Sequence, residues 1–400
     1  VARSHAKVVI RAAHLVEEKT ELIDSRTVSV ALVHDWLTGM RGGEKVLEVF
    51  CELFPQAPIY TLLHNEGAMS ELIERRDIRV SFIDRLPRKS THYRNYLPVF
   101  PVAIERFDFS EFDLILSTSH CVAKGARPKS GALHICYCHT PMRYVWEMYD
   151  EYFGKGRAGL VTRVAMRFFA PRLRRWDVQS SNRVHHFIAN SNNVARRIHQ
   201  YYGRTAEVIH APVDLSFFSL STHNEGYYLI VSALVPYKRV DLAVEVFNRR
   251  GEKLLIVGTG PEFEKLRNMA KPNVEFLGWQ SGEELARLYA GCRALIFPGI
   301  EDFGIVPLEA MACGKPVIAY GAGGALETVM PDGEHPNGVF FYEQDASSLT
   351  QAIDRCEKMQ FDPTMIRASV ERFDRPRFKE RLRTFIESKW REHLSPLNAC

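Results

Sequence analysis

Short apolar runs recur through this chain, and most of them end in a glycine or polar turn that opens a helical stretch. The run 28–33 leads through Gly42 and Gly43 into a helical stretch over 45–54, stopped by Pro55. Residues 254–257 lead through Gly258 and Gly260 into a helix over 262–269, and 316–320 lead through Gly321, Gly323 and Gly324 into another helix entrance. Further strands are expected at 59–61, 114–117, 133–138, 187–191 and from Tyr227. Apolar runs without polar alternation, each followed by a helix, suit strands buried on both faces of a parallel sheet, so the chain predicts an α/β fold of doubly wound domains.

Four hundred residues are enough for two such domains. The polar stretch 219–226 reads as a linker, which gives an extension at 1–27, a first domain over 28–215 and a second over 216–375. A last helix over 376–393 carries Phe378, Leu382, Phe385, Ile386 and Trp390 as one apolar stripe. The composition, 46% hydrophobic and 25% charged, is that of a globular protein. A net charge of +4 is too small to imply nucleic acid. No apolar run reaches the roughly 18 residues that a membrane span needs. No secretory leader is expected, because Val1-Ala-Arg-Ser-His is followed by no long apolar block. Eight scattered cysteines suit free thiols in a reducing, cytoplasmic setting.

Chemistry concentrates in 297–314. Pro307 suits a first helical turn and Gly314 a stop. Gly304, Ile305 and Val306 offer no side-chain oxygen to cap that helix, so its free amides await an anion. Glu301 lies in the loop before it and Glu309 in its expected first turn; on charge alone, Glu309 does no more than favour the positive helix end. Lys238 and Arg239 stand before another expected helix, where they either decorate the surface or hold phosphate oxygens. Alternation places His134, Cys136 and Cys138 on one strand face, but no second pair of ligands follows nearby, so metal is not expected. His139, at the end of that strand, reads as a packed histidine or as a ligand contact at a sheet's carboxyl edge. The stretch 155–183 carries Lys155, Arg157, Arg163, Arg167, Arg172, Arg174, Arg175 and Arg183 around Leu160, Val161, Val164, Phe168 and Phe169. It reads either as a solvated helix packed by its apolar face or as a membrane-surface contact; nucleic acid is the third option, but no recognition motif accompanies the charge.

The stretch 297–314 resembles the donor-site signature of retaining glycosyltransferases of the GT-B fold, family four. Seven residues separate Glu301 from Glu309 around Phe303-Gly304, with Pro307, Glu309-Ala310 and Gly314-Lys-Pro-Val-Ile in register. Val-Pro-Tyr-Lys238-Arg239 resembles that family's phosphate loop, with Ala233 where many members have arginine, and His139-Thr-Pro-Met-Arg143 resembles its histidine segment. The resemblance implies two Rossmann-like domains facing a cleft, with the last helix crossing back to the first domain. It implies catalytic roles for His139, Lys238 and Glu301. Donor contacts would come from Gly42, Gly43, Arg239, Gly258, Gly260, Phe303, Gly304, Ile305, Val306 and Glu309. Acceptor or membrane contacts would come from Arg143, Arg163, Arg167, Arg174 and Arg175.

The partners implied are a nucleotide-sugar donor and a sugar acceptor, with no nucleic acid, no cofactor and no metal. The segments around His139 and Lys238 look most like polysaccharide-assembly members, often mannosyltransferases using GDP-mannose on lipid-linked acceptors, which places the chain in the cytoplasm and at the inner face of a membrane. The alternatives are a GT-B sugar-nucleotide epimerase and a non-catalytic sugar-nucleotide-binding scaffold.

Overall fold

The computed structural model describes residues 28–154 and 159–395. The extension 1–27, Lys155 and Arg157 lie outside them. Thirteen strands form two all-parallel sheets among the described residues. The first holds β1 (Val30–His34), β2 (Ile59–Thr61), β3 (Ile78–Val80), β4 (Leu114–Ser119), β5 (Leu133–Cys138), β6 (His186–Ala189) and β7 (Ala206–Val208). Their order across the sheet is β3-β2-β1-β4-β5-β6-β7. The second holds β8 (Tyr227–Val231), β9 (Lys253–Val257), β10 (Val274–Gly278), β11 (Ala294–Phe297), β12 (Val317–Tyr320) and β13 (Gly338–Phe341), in the order β10-β9-β8-β11-β12-β13.

In each sheet the order reverses beside the first strand, between β1 and β4 and between β8 and β11. Such a reversal opens a crevice at the carboxyl ends, where doubly wound sheets take their ligands. The central strands are buried on both faces, as their uninterrupted apolar runs require. The short edge strands β3 and β7 escape the sequence reading because they are three residues long and largely exposed or half-buried.

Six helices flank the cleft or brace the segments that line it. Helix α1 (Gly42–Leu53) begins three residues before its expected start, so Gly42 and Gly43 form its first turn and not a separate loop. Helix α2 (Leu160–Ser181) is the basic helix. Helix α3 (Asn192–Tyr202) has Ser191 as its cap, with the hydroxyl accepting the Val194 amide at 3.0 Å. Helix α4 (Val240–Arg250) follows β8, and α5 (Ile305–Ala312) follows β11.

Helix α6 (Arg375–Leu394) returns to the first domain. Just before it, Val213 and Arg375 exchange backbone bonds across the two chain crossings: the Val213 amide donates to the Phe373 carbonyl and the Arg375 amide to the Val213 carbonyl, each at 3.0 Å. Phe378, Leu382, Ile386 and Trp390 of α6 are buried, and Phe378 packs edge-on to Tyr137 of β5. Burial of such side chains is worth about 1.5–3 kcal/mol each. Arg375 pairs with Glu48 and Glu52 of α1, and Lys379 donates to Glu52 at 2.9 Å.

A buried ion pair anchors α2. Lys124, after β4, is 1% exposed and donates to Asp177 at 2.6 Å and to Ser180 at 3.0 Å. Trp146 and Tyr202 each donate to the other Asp177 oxygen at 2.8 Å, so the buried carboxylate is fully used. Lys124→Met deletes one partner and strands the other charge, which typically costs about 3–5 kcal/mol. The expected outcome in urea unfolding is a loss near the lower end of that range, because two neutral donors remain; an unchanged midpoint would count against the pair.

Candidate functional site

The loop leaving β8 coils into a short turn at Pro236–Lys238 and enters α4 through Arg239, whose φ of +51° is costly for a non-glycine residue. That turn buries Lys238, 8% exposed, beside the Tyr237 ring. Gly299, leaving β11, has no Cβ, and one would stand 2.7 Å from the Lys238 Cα, so the two switch-point loops touch. Lys238 forms an ion pair with Glu301. Burial and the Arg143 charge push Lys238 down to about 7 while Asp302 opposes them. The Glu301 carboxylate, an opposite charge in contact, acts in the same sense as Asp302. Arg239 is half-buried, 3.3 Å from Asp241 and 3.5 Å from Gln344.

Helix α5 starts behind Gly304, φ +90°, with no side-chain cap, as its sequence predicts. It starts two residues ahead of Pro307, so Glu309 falls in the second turn and not the first. Glu309 is buried, and its two oxygens accept from Lys45 of α1 at 2.9 Å and from Tyr289 at 2.8 Å. A Cβ on Gly42 would stand 2.8 Å from Ile305 Cδ1, so the starts of α1 and α5 meet across the cleft. Both positive helix ends therefore point at one seam. Ile305 and Val306 line it half-buried.

On the first-domain side, His139 ends β5 with Nε2 buried and without a partner. A Cβ on Gly43 would stand 3.5 Å from that nitrogen. Burial, with the charges of His120 and His34, pushes His139 down to about 3, so the ring is neutral at physiological pH.

Several expected contacts lie elsewhere. Phe303 is 2% exposed and packs on His210 and Phe373, so it wedges the core and does not wall the donor site. Gly258 and Gly260 are glycines because a Cβ would stand 1.9 Å from the Ser232 carbonyl oxygen and 2.3 Å from that of Leu234, so close packing against the loop after β8 already requires them. Gly323 and Gly324 likewise receive the backbone of Glu301 and Phe303, and the Gly324 amide donates to the Glu301 carbonyl at 2.9 Å.

Arg143 is not on an outer surface but in the cleft, paired with Asp302. Arg174 is also inward: it donates to the Val145 carbonyl and lies over the Trp146 ring. Arg167 and Arg175 are exposed and Arg163 half-buried. Leu160, Val164 and Phe168, one helical turn apart, stand 72, 63 and 60% exposed on the same helix. Cys136 and Cys138 pack in the core and His134 Nε2 bonds Ser117 at 2.9 Å. Among the described residues no three such ligands gather.

Sequence reasoning missed Lys45, Tyr289, Asp302 and Arg197. Asp302 takes both Arg143 and Arg197, and Ser191 donates to its carbonyl at 2.7 Å. Adjacency was the available signal: Lys45 stands two residues after the glycine pair and Asp302 follows Glu301. A cavity of about 480 Å³ opens between the domains, bounded by Arg143, Arg197, Tyr237, Arg239, Glu301 and Asp302.

Residues 41–217 match the family model described as Glycosyltransferase Family 4, and residues 214–372 the one described as Glycosyl transferases group 1. The two matches run in tandem, one per sheet, over most of the chain, and the chain belongs to the family 4 glycosyltransferases of GT-B fold. Anabaena HepE in complex with UDP superposes at a TM-score of 0.65 and 20% identity, over 90% of this chain and 100% of that one. Sucrose-phosphate synthase from Thermosynechococcus elongatus gives 0.67 at 16%, over 91% and 100%; both likenesses concern the fold. An uncharacterized glycosyltransferase of Methanocaldococcus jannaschii is 35% identical over 33% of this chain and 39% of its own. The O-antigen chain mannosyltransferase RfbU of Salmonella typhimurium is 28% identical over 52% and 62%. A GDP-mannose-dependent monoacylated alpha-(1-6)-phosphatidylinositol monomannoside mannosyltransferase of Corynebacterium glutamicum is 38% identical over 30% and 35%. The matched stretches thus span less than two thirds of each of these curated relatives.

Glu327 of the second domain clasps the start of α3, accepting the amides of Asn192 at 2.9 Å and Asn193 at 3.0 Å, with His210 Nε2 at 3.0 Å. Burial works against its charge, but the bonds from His210 and the two amides outweigh it and hold the carboxyl below its ordinary 4.5. A depressed carboxyl contributes stability above its unfolded value and loses it as pH falls through the folded one. Hydrogen exchange at Asn192 and Asn193, corrected for intrinsic rate, is expected to be slow at neutral pH and to accelerate below about pH 4.5. Glu327→Gln is expected to exchange fast throughout; a variant as protected as the wild type at pH 7 would contradict the clasp.

Proposed function

We propose that this chain is a retaining hexosyltransferase that moves mannose from GDP-mannose to a sugar acceptor on a lipid carrier, in polysaccharide or glycan assembly. The observation that carries the reading is the convergence, at one seam, of Lys238, Glu301 and the uncapped start of α5 against Gly42, Gly43 and His139. An uncapped helix start beside buried cations is built for a diphosphate.

In this reading the diphosphate takes the free amides of Ile305 and Val306 and displaces Glu301 from Lys238. The leaving group gains negative charge as its bond to the sugar breaks, so Lys238 and Arg239 stabilise the transition state more than the ground state. The released Glu301 orients the sugar, and neutral His139 offers its unpartnered nitrogen beside it. Glu309, already shared by Lys45 and Tyr289, takes the ribose. The acceptor oxygen attacks from the face the phosphate leaves, and the departing phosphate oxygen receives its proton. With two cations and a helix end on the diphosphate, the site is read as needing neither metal nor cofactor.

The donor follows the relatives named as mannosyltransferases. The lipid carrier follows the Corynebacterium relative, named for a phosphatidylinositol monomannoside, together with the exposed face of α2. Leu160, Val164 and Phe168 beside Arg167 and Arg175 suit the surface of an anionic bilayer, which makes the chain a peripheral cytoplasmic protein in this reading. No helix among the described residues is long and apolar enough to cross a membrane.

Thermal-shift binding and donor hydrolysis across GDP-, UDP- and ADP-sugars, with and without EDTA, test the donor; a selective GDP-mannose response that survives EDTA is expected, and silence or metal dependence refutes it. Lys238→Ala should lower kcat by about 10²–10³, and Glu309→Ala should raise the donor Kd. On vesicles containing anionic lipid, Val164→Glu with Phe168→Glu should abolish flotation while leaving melting unchanged; equal flotation would remove the membrane assignment.

A further inference from the structure

The carboxyl edge of the first sheet holds a histidine that the transfer chemistry leaves unused. His120 follows β4, the strand beside the switch point. Asp35, following β1, is fully buried, and its two oxygens accept the backbone amides of His120, Cys121, Val122 and Ala123 at 2.6, 2.9, 2.6 and 2.7 Å. The same carboxylate lies 3.1 Å from His120 Nδ1. A carboxylate accepts, so this contact favours the tautomer with the ring hydrogen on Nδ1 and the lone pair on Nε2.

Trp36 meets the imidazole edge-on, with centroids 4.4 Å apart at 89°, and fixes its plane. The side chain is 26% exposed, and among the described residues Nε2 has no hydrogen-bond partner. Its surroundings are those of the seam: His139 lies 6.4 Å away between ring centroids and His34 6.2 Å. His34 is fully buried, with Nδ1 at 2.5 Å from the Thr118 hydroxyl. Burial, with the charges of His34 and Arg143, pushes His120 down to about 3 against the pull of Glu44, so the ring is neutral where the protein works.

We propose that His120 Nε2 is a sugar-hydroxyl acceptor facing the cleft, a subsite of its own beside His139, with Asp35 as the positioning residue that fixes its tautomer. The proposal rests on the transferase reading. A neutral nitrogen that only accepts selects a hydroxyl and repels a phosphate or carboxylate oxygen. Two sugars supply hydroxyls here, the acceptor's and the donor's, and the experiment separates them.

In protein labelled with ¹⁵N-histidine, the His120 signals, identified by their loss in His120→Asn, are expected to report the Nδ1–H tautomer. The Nε2 resonance should move on titration with methyl α-mannopyranoside in the presence of GDP. An Nε2–H tautomer, or a resonance that does not move, overturns the subsite. His120→Asn keeps a donor where Nδ1 stood and deletes Nε2, so melting should be retained while kcat/KM for transfer falls at least tenfold. Unchanged donor affinity and donor hydrolysis in that variant place the hydroxyl on the acceptor; a weakened donor Kd places it on the donor. Wild-type transfer rates in the variant overturn the subsite and leave the transferase standing. A wild-type chain that turns over no donor overturns the transferase, and the titration still decides the subsite.

Discussion

The return of α6 onto α1 is the contact on which the rest of the geometry depends. Arg375 and Lys379 bind Glu48 and Glu52 midway along and near the end of α1, while the opposite end of the same helix presents Gly42, Gly43 and Lys45 to the second domain. A helix held at one end by the second domain's own C-terminal extension, and meeting that domain's α5 at the other, has its position set twice. The cleft is therefore narrow at the glycine pair, where a single added methyl group would meet Ile305. The backbone exchange between Val213 and Arg375 makes the two crossings a common strap, so any motion between domains acts on both together.

The first domain adds a second constraint, in buried charge. Asp35 and Asp177 are both fully enclosed, and both are satisfied by groups from distant segments. Asp35 gathers four consecutive amides from the loop after β4, and Asp177 gathers Lys124, Trp146 and Tyr202. Such networks tolerate few alternative arrangements, because leaving any one member unpaired in a low-dielectric interior is expensive. They hold the loops after β4 and β5 rigid, and those loops carry His120, His139 and Arg143.

Much of the architecture was legible in the sequence, because parallel strands buried on both faces must be apolar throughout and the glycines at their ends are forced by close approach. The stripe from Phe378 to Trp390 foretold a docked helix for the same reason. Edge strands of three half-exposed residues left no such trace. Within the site, the uncapped start at Gly304 could be read from the absence of a capping oxygen. The partners of Glu309 could not, since Lys45 and Tyr289 arrive from elements 264 and 20 residues away. Gly258 and Gly260 are ambiguous for a related reason: a glycine that admits a neighbouring backbone and one that admits a ligand look identical in sequence. Arg174 was drawn outward by the basic composition around it, whereas a carbonyl in the folded chain turns it inward.

The acids along the seam also shape how the site greets its ligand. Glu301 sits on Lys238, Asp302 on Arg143 and Arg197, and Glu309 on Lys45. Each cation at rest already has an anion of the protein's own, so the empty cleft projects little net field into the solvent. Capture of a charged ligand at such a site would lean less on long-range attraction than on an exchange of partners after contact, and its association rate would fall only gently with ionic strength.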